Sequence, residues 1–376
     1  MKFIHISDLH LGKRFNEQSL IEDQKYILGK IIEVVDNENP KGVLIAGDVY
    51  DKSVPSAEAV MLFDDFLNSL AKRSVQVFII SGNHDSAERM SFGSNLMEQS
   101  GVHIARVYNG VIPKYTLADE YGEVCVYLLP FIKPSNVKPF FDNEIKTYTD
   151  AIRVALSNAE IDKDKRNILV THQFVTGASR SESEEISVGG TDNVDASVFE
   201  DFDYVALGHI HGPQNCGSEK IRYCGTPLKY SFSEAKDEKS VTVVELNEKN
   251  SLIIRTIPLT PLHDMVEIKG MFEDIMSKSF YENTTYENDY VRVTLIDEDD
   301  ILDAIGKLRT VYRNILRLDY DNLRTKAITE IDTADVDNKS PYELFSELFA
   351  MQNGQEMSQE QADLVKSLIE KIWEDK

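Results

Sequence analysis

The chain has 376 residues, a formal net charge of −24, 42% hydrophobic residues and three cysteines. That length exceeds one typical core and implies two or three compact units, while so acidic a balance excludes strong nucleic-acid binding through overall charge, because cations on phosphates supply most of that affinity. Cys125, Cys216 and Cys224 form no C-x-x-C pair and read as reduced thiols of a cytoplasmic protein; no apolar run is long enough to span a bilayer, and the first is too short, broken by Asp8, to be a signal peptide.

In chain order, Phe3-Ile4-His5-Ile6 reads as a buried strand, followed by Asp8-Leu9-His10. Leu20 to Val35 reads as an amphipathic helix, with Tyr26, Ile27, Ile31, Ile32 and Val35 on one face. Val43-Leu44-Ile45-Ala46 is a second strand, ending at Gly47-Asp48. Pro55 to Arg73 is a second helix, with Ser56 as its candidate N-cap. Val77-Phe78-Ile79-Ile80 precedes Gly82-Asn83-His84-Asp85. Ile168-Leu169-Val170 precedes Thr171-His172, and Tyr204-Val205-Ala206-Leu207 precedes Gly208-His209-Ile210-His211. Short apolar runs bounded by glycine or polar residues fit strands covered on both faces. Their alternation with helices argues an α/β class. Ligands of such folds bind beyond the carboxyl ends of strands, so all five motifs are expected on one rim.

Five of the eight histidines fall in these motifs, with aspartates and an asparagine. Those side chains hold hard to borderline divalent metals. The ordered set points to a two-metal site that cleaves phosphoesters. His5, His103 and His263 lie outside the motifs and read as structural. Asp23, Asp64 and Asp65 read as solvated charges on helix faces. Lys13 and Arg14, single basic residues just past the first motif, could face a phosphate. The glycine- and serine-rich loop 176–191 reads equally as a free surface loop or as part of a substrate rim.

After Pro261 the pattern changes. Met265 to Ile268, Tyr290 to Ile296 and Ile315 to Tyr320 read as strands, with helices over Phe272–Lys278 and Ile301–Tyr312. Residues 326–339 read as an acidic linker. Ser340-Pro341-Tyr342-Glu343 and Ser358-Gln359-Glu360-Gln361 then read as capping boxes opening two helices. One carries an apolar stripe of Leu344, Phe345, Leu348 and Phe349. The other carries Leu364, Val365, Leu368, Ile369, Ile372 and Trp373.

D-x-H, G-D, G-N-H-D, an isolated histidine and G-H-x-H, in that order, resemble the calcineurin-like metallophosphoesterases. The opening Met1-Lys2-Phe3-Ile4-His5-Ile6-Ser7-Asp8-Leu9-His10-Leu11-Gly12 is narrower, as are Gly47-Asp48-Val49-Tyr50-Asp51 and the segment from Gly225 to Glu234. These look like the SbcD family of double-strand-break repair nucleases. The resemblance implies a layered α/β/β/α sandwich over residues 1–260, a small α+β capping domain over 261–325 that selects DNA shape, and helices over 340–376 that grip the ATPase SbcC. It implies one metal held by Asp8, His10, Asp48 and His211, and a second by Asp48, Asn83, His172 and His209, with Asp48 bridging. Manganese is the family's ion; nitrogen and oxygen ligation alone does not select it. His84 would act on the phosphate or leaving group, with Asp85 orienting its imidazole. The implied function is a DNA nuclease of repair, recombination and replication, with 3′→5′ exonuclease activity on duplexes and endonuclease activity on single strands and hairpins, working as a homodimer. Relatives outside the bacterial branch carry a second histidine where Asp51 stands here. A phosphatase or cyclic-nucleotide phosphodiesterase shares the motifs, but Gly47 to Ser53 lacks the Arg-Gly usual in Ser/Thr phosphatases, and the small phosphodiesterases need no capping unit. A non-catalytic scaffold conflicts with the intact ligand set.

Overall fold

Strands whose residues are buried on both faces build the first part of the chain. The computed structural model describes residues 1–15, 18–179, 181, 193–299, 301–322, 340–353 and 356–374. The predicted linker 326–339 and most of the loop 176–191 lie outside them. The chain divides into Met1–Met265 and Val266–Lys376.

Two six-stranded sheets form the first unit. In one, Lys2–Ile6, Gly42–Ala46, Gln76–Ile80 and Val102–Ile104 run parallel. Ser240–Leu246 joins Lys2–Ile6 antiparallel, and Leu252–Pro258 follows it antiparallel. In the other, Gly122–Leu129, Arg166–His172, Tyr204–Gly208 and Ser218–Tyr223 are parallel. Antiparallel strands Lys114–Asp119 and Gln214–Cys216 close its edges.

Alternate side chains decide the layering. Phe3, Leu44, Ala46, Phe78 and Ile80 of the first sheet share one buried cluster with Val126, Leu128, Ile168, Val170 and Ala206 of the second. Each fully buried side chain of this size is worth about 1.5–3 kcal/mol. On the outer face of the second sheet, Tyr127, Leu129, Leu169 and Leu207 pack with Ile152, Ala155 and Leu156 of the helix Tyr148–Ser157. Helix Ile21–Glu38 buries Ile27, Leu28 and Ile31. Helix Ala57–Ala71 lies against the strand Gln76–Ile80 and buries Phe63, Phe66, Leu67 and Leu70. Ser56 Oγ accepts from the Ala59 amide at 3.2 Å, as an N-cap should. The result is an α/β/β/α sandwich. Its registers place the motifs: Ile6 pairs with Ile45 and Ile45 with Ile79, while His172 lies opposite Gly208. The strands therefore end level, and the turns after them share a rim.

In the second unit Met265–Gly270, Tyr290–Leu295 and Asn314–Tyr320 form a three-stranded sheet. Ile268, Ile275, Val291, Val293, Leu308 and Tyr312 fill its core. The helix expected over 301–312 is confined to Ala304–Leu308. Asp303 has φ +52°, a left-handed conformation that a helix cannot run through. Two helices, Pro341–Asn353 and Gln359–Glu374, follow. Both capping boxes form: the Ser340 amide donates to Glu343 and the Glu343 amide to Ser340 Oγ, with the same exchange between Ser358 and Gln361. Phe345, Leu348, Leu364 and Leu368 of the apolar stripes are exposed. Among the described residues no helix is long and apolar enough to cross a membrane.

Candidate metal centre

The rim residues are held by turns that the sequence makes sharp. Asp8, His10, Asp48 and His209 have φ of +53°, +43°, +48° and +103°. Non-glycine residues seldom adopt such values, and each costs on the order of 1–3 kcal/mol. The strands behind them supply the constraint. The glycines before Asn83 and His209 are needed for close approach: a Cβ at Gly82 would overlap the Asp48 carboxylate, and one at Gly208 the Ala46 carbonyl.

These turns bring all seven expected ligands together. His10 Nε2 and His211 Nε2 are 3.2 Å apart. Asp8, His10 and His211 form one group able to hold a cation, Asp8, Asp48 and His172 another, and His10, Asp48 and His84 a third. His172 Nδ1 donates to the Ala46 carbonyl at 2.8 Å, which leaves a lone pair on Nε2. That nitrogen lies 3.0 Å from Asn83 Oδ1 and 3.2 Å from Asp48 Oδ2. His209 Nδ1 lies 2.9 Å from the same Asn83 oxygen. Asp48 Oδ2 is also 3.9 Å from His10 Nε2, so the carboxylate stands between the groups. Lone pairs converging at such distances repel unless positive charge lies among them. The residues therefore fit divalent cations, by separation and by chemistry.

The electrostatics point the same way. Burial opposes charge on His172, but the Asp48 carboxylate, together with Asp8 and the Ala46 carbonyl, outweighs it and raises the imidazole to about 9. Burial also opposes ionisation of Asp48, yet His172, His10 and His84 hold that carboxyl far below its usual range. In effect a proton on His172 replaces part of the cationic charge that the ligands demand. Burial raises Asp8 and drives His10 well below its ordinary value.

His84 stands beside the ligands. Its amide donates to Asp48 Oδ1 at 2.9 Å, and its ring meets that of His10 edge-on. The expectation that Asp85 orients its imidazole is corrected. Asp85 accepts from the amides of Gly82, Val49 and Tyr50 at 2.9–3.1 Å. The ring nitrogen Nδ1 of His84 instead lies 3.1 Å from the Asp51 carbonyl. Asp85 thus ties the loop after Asp48 to the loop carrying Asn83. Burial and the charge of Asp48 raise Asp85 to about 7, against those amides. Lys13 pairs with the Asp51 carboxylate at 2.9 Å.

Other residues of the rim carry no signal in the sequence. Gln24 donates to the His10 carbonyl at 2.7 Å, and the Tyr230 hydroxyl to that of Leu9. Glu234 lies 3.3 Å from His211 Nδ1. Glu234 closes a segment that carried the resemblance, but its spacing signals no role. Asp23, expected to be a solvated charge, is buried and pairs with His263 at 2.8 Å. His5 is buried, 2.8 Å from the Tyr204 hydroxyl, and burial lowers it to about 3.

The profile of the calcineurin-like phosphoesterases matches residues 1–213. That described as the type 5 capsule protein repressor C-terminal domain matches residues 261–353. A protein of Staphylococcus epidermidis, named as the D subunit of the nuclease SbcCD, is 34% identical over 375 residues, 98% of each chain. One of the same name from Staphylococcus saprophyticus subsp. saprophyticus is 37% identical over 324 residues, 85% of this chain and 84% of its own. Among solved structures, a dimetal phosphatase from Danio rerio is similar over 70% of this chain and 98% of its own, at 12% identity and a TM-score of 0.40.

Proposed function

This chain belongs to the calcineurin-like phosphoesterases and, within them, to the SbcD family of SbcCD nuclease subunits, and on that premise we propose that it is a manganese-dependent DNA nuclease, the catalytic subunit beside the ATPase SbcC. The observation that carries the reading is the Asp48 carboxylate, whose Oδ2 lies 3.2 Å from His172 Nε2 and 3.9 Å from His10 Nε2 among the ligand groups. Asp8, His10 and His211 would hold one cation with Asp48; Asn83, His172 and His209 would hold the other. When bound, such a pair supplies the Lewis acidity that activates water and offsets charge on a phosphodiester.

The chain's own residues do the positioning. The His84 amide fixes one oxygen of Asp48, leaving the other toward the imidazoles. Ala46 sets the tautomer of His172. The Asp51 carbonyl accepts from Nδ1 of His84, so that Nε2 faces the site, and the ring in its doubly protonated form can give the Nε2 proton to the leaving oxygen.

The activities we assign are 3′→5′ exonuclease on duplex DNA and endonuclease on single strands and hairpins, in cytoplasmic repair and recombination. Residues 261–325 would act as the DNA-selecting cap. The exposed stripes on the last two helices support their use as the grip on SbcC. Homodimerisation through helices of the catalytic unit is supported by an apolar groove between Val60 and Phe92, with Met61 and Leu96 exposed nearby.

The test is cleavage of an end-labelled linear duplex with manganese, by the chain alone and with SbcC, beside Asp48→Ala. Degradation by the wild type and its loss in the variant are expected. Turnover of a small phosphoester with no DNA cleavage, even with SbcC present, would make the protein a phosphatase instead.

A further inference from the structure

Behind His211 lies a charged pair almost wholly removed from solvent. Glu234 is 0% exposed and Lys239 5%. Burying two charges costs several kcal/mol per ion, and an apolar pair of similar shape is often as stable or more so. Stability alone is thus a poor reason for placing these two residues here. Their partners give a better one. One carboxylate oxygen of Glu234 faces His211 Nδ1 at 3.3 Å. The other accepts from Lys239 Nζ at 2.6 Å, and from Thr226 Oγ1 and the Tyr230 amide at 3.4 Å. Lys239 Nζ also donates to the His211 carbonyl at 3.0 Å, and it lies 3.3 Å from Asp237. The Thr226 amide donates to that same carbonyl at 3.0 Å. The ring and the main chain of His211 are therefore gripped by one ion pair.

We propose that Glu234 is a positioning residue for His211: through the Lys239 pair it holds the imidazole that completes the Asp8–His10 group and sets the affinity of that group for its cation. This rests on the two-cation reading. The physical basis is the division of the ring. With the Nδ1 proton directed to the carboxylate, Nε2 keeps its lone pair toward His10 Nε2, 3.2 Å away. The negative partner also makes the imidazole a stronger donor. His172, in the other group, is backed by the neutral carbonyl of Ala46. The two groups thus differ in what stands behind their histidines, and a change at Glu234 should reach one cation and spare the other.

Titration of manganese into the metal-free chain, followed by calorimetry and by the spin signal of free ion, reads both cations without turnover. The wild type should bind two. Glu234→Leu combined with Lys239→Met removes both charges together, so neither is left buried and alone. It should keep the metal-free melting temperature while weakening one ion about 10–100-fold and leaving the other unchanged. In a His211→Asn background the same pair of changes should weaken that ion little further, because the imidazole through which they act is already gone. Glu234→Gln keeps the shape and should give a smaller loss at the same ion, which tests the idea even if the double variant fails to fold. Both affinities at wild-type level in Glu234→Gln and in a folded double variant would make the pair structural and overturn the proposal. An equal fall of both ions would do the same. A wild type that binds fewer than two ions would instead overturn the two-cation reading beneath it.

Discussion

At the scale of single residues, His84 carries the sharpest expectation. It touches the Asp48 carboxylate through its amide. Its imidazole stands with His10 and Asp48 in a third group close enough for a cation, but it is not in the expected ligand set of either metal. His84→Gln should therefore bind two manganese ions as the wild type does and lose most DNA turnover, by about 10²–10⁴-fold if it acts in proton transfer. Turnover at wild-type level, or loss of an ion, would remove that role. The residues expected as ligands, which the structure brings together, were legible in the sequence, since each is a chemistry-bearing side chain directly after an apolar strand. The residues that support them were not. Asp85 reads as a partner for His84 because they are neighbours in sequence, yet its oxygens meet amides across the rim. Glu234 reaches His211, and Asp23 reaches His263, only through folding. No local pattern encodes such meetings.

At the scale of elements, periodicity located the strands and the two long helices of the first unit, because their apolar faces are wide and both sheets are covered. It overran at 301–312, where the left-handed Asp303 keeps the helix from starting before Ala304 and the helix ends at Leu308. The C-terminal helices were legible by their caps, whose reciprocal hydrogen bonds form in both. Exposed Leu364 and Leu368 leave an apolar face on the second of them. Deleting residues 340–376 should abolish association with SbcC and spare manganese-dependent cleavage by the chain alone. Co-sedimentation with SbcC and the end-labelled duplex assay read the two halves separately; unchanged association would show that the helices are not the grip.

At the scale of the whole molecule, the charge of −24 governs how DNA is met. Two divalent cations offset only about four of those charges. Repulsion between the chain and phosphates reaches furthest when salt is low. Duplex binding by the metal-free chain should be weak and should gain little on dilution of salt, as read by fluorescence anisotropy; a steep gain would reveal a concentrated cationic surface. The central sheet has a different consequence, one of timing. Lys2–Ile6 is flanked by Gly42–Ala46 on one side and by Ser240–Leu246 on the other, with Lys2 opposite Glu245. A ribosome adding about 5–20 residues per second needs roughly 10–50 s to bring the second neighbour out after the first strand. Until then that strand keeps an open edge, and His209 and His211 arrive almost as late. The nascent chain is thus an unarmed enzyme, and it spends that interval with a sticky strand that a chaperone would have reason to cover.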